Sequence, residues 1–225
     1  MTHHDGDWGI LSTQQDEDQA RAQAVSDPAA YHAAIAAKEL HWYDTGGEQW
    51  VSQPGGDAWQ GWHAASGAKG SAEASWTPWS SALDADAAPF YRWFVDGQTN
   101  ACFNLLDRHV LSGRGKNQAL VFEGDRWDPS KNEGRGGPVF EQRLSYRELL
   151  VEIALRARVL KSLNLSAGDR IALNLPNILE QIFYILAAQR LGVIYTPVFG
   201  GFSAKTLSDR IHDAGAKVVI TADGG

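Results

Sequence analysis

Residues 193–225 read VIYTPVFGGFSAKTLSDRIHDAGAKVVITADGG, in which a β-rich run, a turn with two glycines, a helical run and a second β-rich run follow one another. Ser203 stands at a helix N-cap position, and Gly215 stands where a glycine commonly ends a helix. Two strands joined through one helix are typical of a parallel β-α-β unit. The stretch therefore predicts parallel strands at about 193–198 and 217–222 with a helix between them.

The segment SYRELLVEIALRARVLKSLNL, which begins at Ser145, predicts a long amphipathic helix. Ser145 and Glu148 have the spacing of a capping box, in which each side chain bonds the backbone N–H of the other residue. Asn164 is expected to take the left-handed conformation that ends the helix. One apolar stripe runs along its length, formed by Leu149, Ile153, Ala157 and Leu160.

A third β-rich run, DRIALNLP, predicts a parallel strand at about 169–174 that ends before Pro176. The next helix is expected to be capped by Asn177 with Glu180 and to end at Gly192. Strands that alternate with helices of this length indicate a doubly wound α/β fold with right-handed crossovers. Upstream, QALVFEGDRW is β-rich, and the polar run DPSKNEGRGG after it predicts a hairpin loop.

The part of the chain before residue 89 has a different composition. Eight of the nine tryptophans lie at or before Trp93, among many glycines, serines and alanines. Asp27-Pro28 predicts the start of a helix, and DEDQARAQA before it predicts a weaker one. We therefore expect an irregular, tryptophan-rich segment with short helices at 1–88 and the first part of an α/β domain at 89–225. The spaced indoles either anchor an irregular segment or form a sugar-stacking platform, and the anchoring role is favoured.

Composition excludes several classes of protein. The 225 residues are 44% hydrophobic and 21% charged, with a net charge of −7 and one cysteine. Residues 1–90 carry 13 acidic and 3 basic side chains (net −10), and residues 91–225 carry 14 and 17 (net +3). An acidic first segment argues against nucleic-acid binding. No apolar run approaches the ~20 residues that span a bilayer, and the single cysteine fits a reducing compartment, so a cytoplasmic location is expected.

Two loops are expected at the carboxyl edge of the predicted sheet, where α/β proteins bind ligands. LPN follows the first strand and FGGF follows the second. Because Gly200 and Gly201 lack side chains, a flat ligand or a phosphate could approach the backbone there, although such a glycine pair is more often plain turn chemistry. Neither the G-x-G-x-x-G nor the G-x-x-x-x-G-K-[ST] motif is present.

The segment PFYRWFVDGQTNACFNLLDRHV and the run from LSYRELL to ITADGG resemble the AMP-forming acetyl-CoA and propionyl-CoA synthetases. The resemblance covers about residues 88–225 and is looser around LHWYD. The tryptophan-rich stretch at 43–89 is longer than in an acetyl-CoA synthetase. It resembles the synthetase module of the fused, multifunctional propionyl-CoA synthases, which activate 3-hydroxypropionate.

The resemblance implies an acid-thiol ligase of the acyl-adenylate-forming (ANL) type. Such an enzyme joins acetate, propionate or 3-hydroxypropionate to ATP with Mg²⁺ and then transfers the acyl group to coenzyme A. It also implies that Gly200 and Gly201 form the wall against the adenine of coenzyme A. The family's T-S-G-T-T-G-x-P-K-G loop, ribose-binding aspartate and C-terminal lysine are absent, so we expect an N-terminal part with no catalytic residue or metal site, inactive alone. The expected partners are the remainder of the synthetase and, in an oligomer, further copies of the chain.

Other polar residues invite a chemical interpretation. Asp107, Arg108 and His109 look catalytic in isolation, but the resemblance implies a structural role for this segment. Cys102 has no evident partner in the sequence, and a buried, inert thiol is expected. Five further histidines have no metal-ligand spacing: His3 and His4 near the terminus, then His41, His63 and His212.

Two competing functions stay open at this point. One is a non-catalytic, tryptophan-rich module that binds carbohydrate, attached to an α/β scaffold. The other is a stand-alone nucleotide-binding or regulatory domain that uses the FGGF turn. Because the predicted last strand leaves an unpaired sheet edge, we also expect the chain by itself to be poorly soluble.

Overall fold

The computed structural model describes residues 13–40, 42, 79–97 and 99–223. The chain divides into two compact units. The described residues of the first unit are those up to 97, and those of the second unit are 99–223. The expected division after residue 88 falls between the two strands of one hairpin in the first unit, and the domain assignment stays a prediction.

The first unit contains two helices and a two-stranded antiparallel hairpin. Its elements are α1 (Gln14–Ser26), α2 (Pro28–Glu39), β1 (Ser81–Asp84) and β2 (Arg92–Val95). The side chain of Asp27 accepts a hydrogen bond from the backbone N–H of Ala30 at 2.9 Å, directly before Pro28. Both predicted helices are therefore confirmed, and α2 begins for the predicted reason: a side-chain acceptor satisfies a free N–H of the first turn.

The second unit starts with two π-helical segments and continues with alternating strands and helices. Its elements are π1 (Phe103–Asp107), π2 (Val110–Arg114), β3 (Gln118–Glu123), β4 (Trp127–Asp128), β5 (Gly137–Pro138), β6 (Glu141–Ser145), α3 (Tyr146–Ser162), β7 (Arg170–Asn174), α4 (Leu179–Leu191), β8 (Ile194–Pro197), α5 (Ala204–Ala214) and β9 (Val218–Thr221). β3 pairs antiparallel with β6, and β4 pairs antiparallel with β5 between them. The loop between β4 and β5 contains one further helical turn, Lys131–Gly134. The predicted hairpin is thus confirmed.

The parallel sheet has the strand order β8-β7-β9. Ile171 of β7 lies opposite Tyr195 of β8 and Val218 of β9, and both pairings are parallel. The three predicted parallel strands are confirmed, and β7 is the central one. The doubly wound arrangement of helices on both faces stays a prediction.

The helix ends follow the local sequence with one exception. Ser145 and Glu148 form both hydrogen bonds of the capping box, and Asn164, Gly192 and Gly215 take positive φ after their helices. These predictions are confirmed.

The predicted cap at Asn177 is wrong. Helix α4 begins after Ile178, which is extended (φ −124°, ψ 161°), and no side chain caps it. The N–H of Ile178 donates to the carbonyl of Pro176 at 2.8 Å. This tight turn places Asn177 one residue too early to cap the helix.

The core of the second unit lies between α3, α4 and one face of β7. All four predicted stripe residues of α3 are buried, as are Ile171 and Leu173 of β7 and Phe183 of α4. Burying each large aliphatic side chain contributes about 1.5–3 kcal/mol. Helix α3, which carries the stripe, packs against α4 and the antiparallel pair of β3 and β6.

We expect the 225-residue chain by itself to associate into heterogeneous aggregates. Within the described part of the chain, β8 and β9 each pair with β7 alone. Their outer residues Ile194 and Val219 are 55% and 40% exposed, and unpaired apolar edges promote association. Size-exclusion chromatography with light scattering measures this, and replacing both residues by Lys should reduce the aggregate fraction. A monodisperse unaltered chain that unfolds cooperatively would contradict the expectation.

Candidate functional site

A cleft of about 550 Å³ opens at the carboxyl ends of the parallel strands. The loop after β7, the FGGF turn after β8 and the end of β9 all contribute to it. Its lining residues are Asp125, Asn174, Leu175, Pro176, Asn177, Ile178, Phe199, Gly200, Gly201, Thr221 and Ala222. The two loops that the sequence predicts at this edge therefore lie on one cleft, as expected for ligand sites in α/β sheets.

Gly200 and Gly201 line the cleft, but their surroundings differ. A Cβ atom added to Gly200 would have no heavy atom within 4 Å. A Cβ atom added to Gly201 would lie 2.6 Å from Cε1 of Phe199, a contact that forces the ring to move. Phe199 is 69% exposed, so its ring is free to move away. The turn thus presents a bare backbone surface bordered by an exposed aromatic ring, which suits a flat ligand.

Helix α5 begins directly after the FGGF turn. The hydroxyl of Ser203 accepts a hydrogen bond from the backbone N–H of Thr206 at 3.2 Å, so one of the free N–H groups of the first turn is already satisfied. Asp125 carries the formal charge among the described side chains that line the cleft, and its carboxylate is exposed. The electrostatics of the cleft therefore favour an uncharged group over a phosphate.

Asp107 and Arg190 form a buried ion pair in the second unit. Two hydrogen bonds join them, from Nη1 to Oδ2 at 2.9 Å and from Nη2 to Oδ1 at 2.7 Å, and the side chains are 0% and 7% exposed. Burial opposes the charge on Arg190, but the hydrogen bonds and the charge of Asp107 outweigh it and raise the pKa of Arg190. The pair ties π1 to the end of α4 and confirms the structural role expected of Asp107.

The two residues after Asp107 also have structural contacts. Nε of Arg108 donates to the carbonyl of Asn104 at 2.6 Å, and the ring of His109 packs on that of Tyr146 with centroids 4.8 Å apart. Burial and the neighbouring Arg108 and Arg114 lower the pKa of His109. None of these side chains lies among the residues that line the cleft.

Cys102 lies beside the ion pair. Nη1 of Arg190 is 3.5 Å from its sulfur, so the expectation of a thiol without a partner is wrong in this detail. Burial dominates over this contact and raises the pKa of the thiol to about 11. The expected burial of the thiol is confirmed, and the raised pKa favours the expected inertness, since the thiolate is the reactive form.

Alkylation of Cys102 at pH 8 should be at least about 100-fold slower in the folded protein than in urea, because a pKa near 11 leaves very little thiolate. Iodoacetamide labelling followed by peptide mass spectrometry measures the rate at this residue. Equal labelling in the two conditions would show that the thiol is accessible and ionised, contrary to the structure.

The histidines do not form a metal site within the described ranges, where no three potential metal-ligating side chains cluster. Nδ1 of His212 hydrogen-bonds the carbonyl of Ser208 at 2.7 Å. His3, His4, His41 and His63 lie outside the described residues. In the same described ranges, no helix has the length and apolar character needed to cross a membrane.

Two of the described tryptophans have anchoring contacts in the first unit. Trp42 is 4% exposed, and its indole N–H donates to the carbonyl of Ala36 at 2.9 Å. Its ring packs against those of Trp79 and Phe94, with centroids 5.0 and 5.2 Å away. These rings are part of a small aromatic core rather than an open sugar-stacking surface. The other indoles of the 43–78 stretch lie outside the described residues.

Sequence reasoning missed three polar residues of the cleft. Asn174 and Thr221 occupy the last positions of β7 and β9 and lie opposite each other in register. Their placement at the ends of predicted parallel strands was a usable signal, because such ends meet at one edge of the sheet. Asp125 comes from the loop after β3, and no pattern in the sequence links that loop to the parallel sheet.

Comparison with protein families gives two matches. Residues 125–224 match the model described as AMP-binding enzyme, and residues 71–105 match the one described as acetyl-coenzyme A synthetase N-terminus. The first range includes the parallel sheet and all the lining residues of the cleft.

Curated relatives include three acetyl-coenzyme A synthetases. That of Methylobacillus flagellatus is 45% identical over 154 residues, which are 68% of this chain and 22% of the relative. That of Mycobacterium tuberculosis is 45% identical over 152 residues, covering 67% and 22%, and that of Wolinella succinogenes is 45% identical over 148 residues, covering 65% and 21%. The chain therefore spans about a fifth of the length of the curated relatives it matches.

Proposed function

We propose that this chain is part of an AMP-forming acyl-CoA synthetase, because its parallel sheet lies in a region that matches the AMP-binding enzymes and its homologues are acetyl-CoA synthetases. The observation that supports this most directly is the FGGF turn. It is the segment for which the resemblance implies coenzyme A binding, and it lines a cleft at the ligand-binding edge of the sheet.

The proposed reaction has two steps. In the first step, a carboxylate oxygen attacks the α-phosphorus of ATP, and the bond from this phosphorus to the oxygen that bridges the α- and β-phosphates breaks. The products are an acyl-adenylate and pyrophosphate. The sulfur of coenzyme A then attacks the acyl carbon, its proton is lost, and AMP leaves. Both steps need cations and backbone amides around the phosphates. The family's loop for this purpose is not in the 225 residues, so the ATP and Mg²⁺ sites are assigned to other parts of the enzyme.

The substrate is proposed to be a short-chain carboxylate: acetate, propionate or 3-hydroxypropionate. Acetate follows from the names of the relatives. The long tryptophan-rich stretch at 43–89 supports 3-hydroxypropionate and a fused propionyl-CoA synthase, since it exceeds what an acetyl-CoA synthetase carries. A cytoplasmic location, an oligomeric state and the absence of nucleic-acid partners stay predictions.

The chain's own contribution is scaffold and one wall of the coenzyme A site. Gly200 and Gly201 offer a surface without side chains, and the carboxylate of Asp125 disfavours a phosphate in the same cleft. The adenine ring of coenzyme A is flat and uncharged, so it fits this surface better than the phosphates do. We expect the isolated chain to form neither acyl-adenylate nor thioester.

Two assays on the full-length protein test the proposal. Carboxylate-dependent ATP–pyrophosphate exchange reports adenylation, and thioester formation reports the second step; each is run with acetate, propionate and 3-hydroxypropionate. We expect both activities with at least one of them, and neither with the 225-residue chain alone. Lack of exchange with every short-chain carboxylate would overturn the proposal.

A glycan titration followed by tryptophan fluorescence should give no response, whereas a carbohydrate-binding module would respond.

A further inference from the structure

The cleft has a polar lining that contains no cation among its described residues. Its polar side chains are the carboxylate of Asp125, the amides of Asn174 and Asn177 and the hydroxyl of Thr221. Anions are held in proteins by Arg, Lys or several free backbone N–H groups, and here Ser203 already bonds one N–H of the nearest helix. The lining is therefore suited to a neutral group that both donates and accepts hydrogen bonds.

Asn174 is the polar residue at the centre of this edge. It ends β7, the strand between the other two, and lies opposite Thr221 of β9. Side chains alternate along a strand, so Asn174 is on the face opposite Leu173 and Ile171, which pack in the core.

The amide of Asn174 has unused hydrogen-bonding capacity. It is half-buried, and within the described part of the chain no side-chain hydrogen bond involves it. A half-buried amide without a protein partner loses free energy unless water or a ligand bonds it. Asn177, by contrast, is exposed, so solvent has free access to its amide.

We propose that Asn174 is a specificity-determining residue that reads the edge of the adenine base of coenzyme A. An asparagine amide presents a donor and an acceptor side by side, which matches the acceptor nitrogen and the amino group of adenine. The base lies on the Gly200–Gly201 surface in this arrangement, with its edge toward the end of β7. The inference rests on the proposed function, since it takes coenzyme A as the ligand.

The test compares coenzyme A with an analogue in which the 6-amino group of the base is replaced by hydrogen. In the unaltered full-length enzyme, the KM of the analogue in thioester formation should be about tenfold higher, because one hydrogen bond is lost. Asn174→Leu loses both hydrogen bonds to the base, so it should raise the KM of coenzyme A by at least this factor and should use both compounds equally well. Asn117→Leu, a surface asparagine outside the cleft, is the matched control and should keep the tenfold preference.

The ATP–pyrophosphate exchange activity shows whether a variant is misfolded or impaired in ATP binding, and neither of these is a loss of base recognition in coenzyme A. Asn174→Leu should leave carboxylate-dependent exchange and the KM of ATP unchanged. If Asn174→Leu loses exchange activity, the variant Asn174→Ala is used instead to compare coenzyme A with the analogue. A variant that still prefers coenzyme A tenfold overturns the proposal. An unaltered enzyme that uses coenzyme A and the analogue equally well overturns it too, as does a preference that Asn177→Leu abolishes and Asn174→Leu does not. A rise in the KM of ATP in Asn174→Leu also overturns it, because the cleft would then bind the adenine of ATP. Exchange without any thioester from coenzyme A would instead contradict the proposed function.

Discussion

Replacing Arg190 by Met should lower the free energy of unfolding by about 3–5 kcal/mol, the largest effect on stability that the structure predicts. The substitution removes both hydrogen bonds to Asp107 and leaves a carboxylate that is 0% exposed without its partner. A buried, unpaired charge is far more costly than the pair itself, because the desolvation of the remaining carboxylate is no longer offset. The midpoint of urea denaturation of the full-length protein measures the loss, with hydrogen exchange of π1 and α4 as the local readout.

The double variant Asp107→Leu with Arg190→Met is the matched control. It replaces the pair by apolar side chains, so no charge is left buried, and it should be more stable than either single variant. Additive losses in the double variant would show that the two residues contribute independently. A loss below about 1 kcal/mol in Arg190→Met would place the pair among ordinary surface ion pairs and contradict its burial.

Gly201→Leu in the full-length enzyme should raise the KM of coenzyme A by about 10- to 100-fold. The new side chain would occupy the surface proposed for the adenine, and a 10- to 100-fold rise corresponds to about 1.4–2.8 kcal/mol of lost binding free energy. Carboxylate-dependent ATP–pyrophosphate exchange should stay near normal, because it reports the adenylation step alone. Initial-rate measurements of both reactions on the same preparation test this separation.

Phe199 complicates this variant, because a Cβ at position 201 would lie 2.6 Å from its ring. The combination of Phe199→Ala with Gly201→Leu removes that collision. If coenzyme A use returns in the combination, the displaced ring and not the leucine blocks the site. If exchange and thioester formation fall together in Gly201→Leu, the glycine is needed for folding and the assignment fails. If neither changes, the adenine binds elsewhere.

Several features of this protein follow from the local sequence alone. The capping box of Ser145 and Glu148, the N-cap at Ser203 and the left-handed glycines at 192 and 215 all lie where predicted. Each of these signals works within about four residues, because a helix end must satisfy its own free N–H and C=O groups. Local hydrogen bonding therefore determined where these helices begin and end, and the apolar stripe of α3 determined which face of that helix is buried.

Tertiary structure decided the arrangement of those segments and the composition of the site. Asp107 and Arg190 meet across 83 residues, and β7 becomes central although it precedes β8 and β9 in the chain. Asp125 reaches the cleft from the loop after β3, which is far from the parallel strands in the sequence. Such contacts depend on which buried surfaces and charges pair best across the whole chain. A local pattern gives no measure of that competition, so the sequence alone indicated the edge of the sheet but not the side chains that meet there.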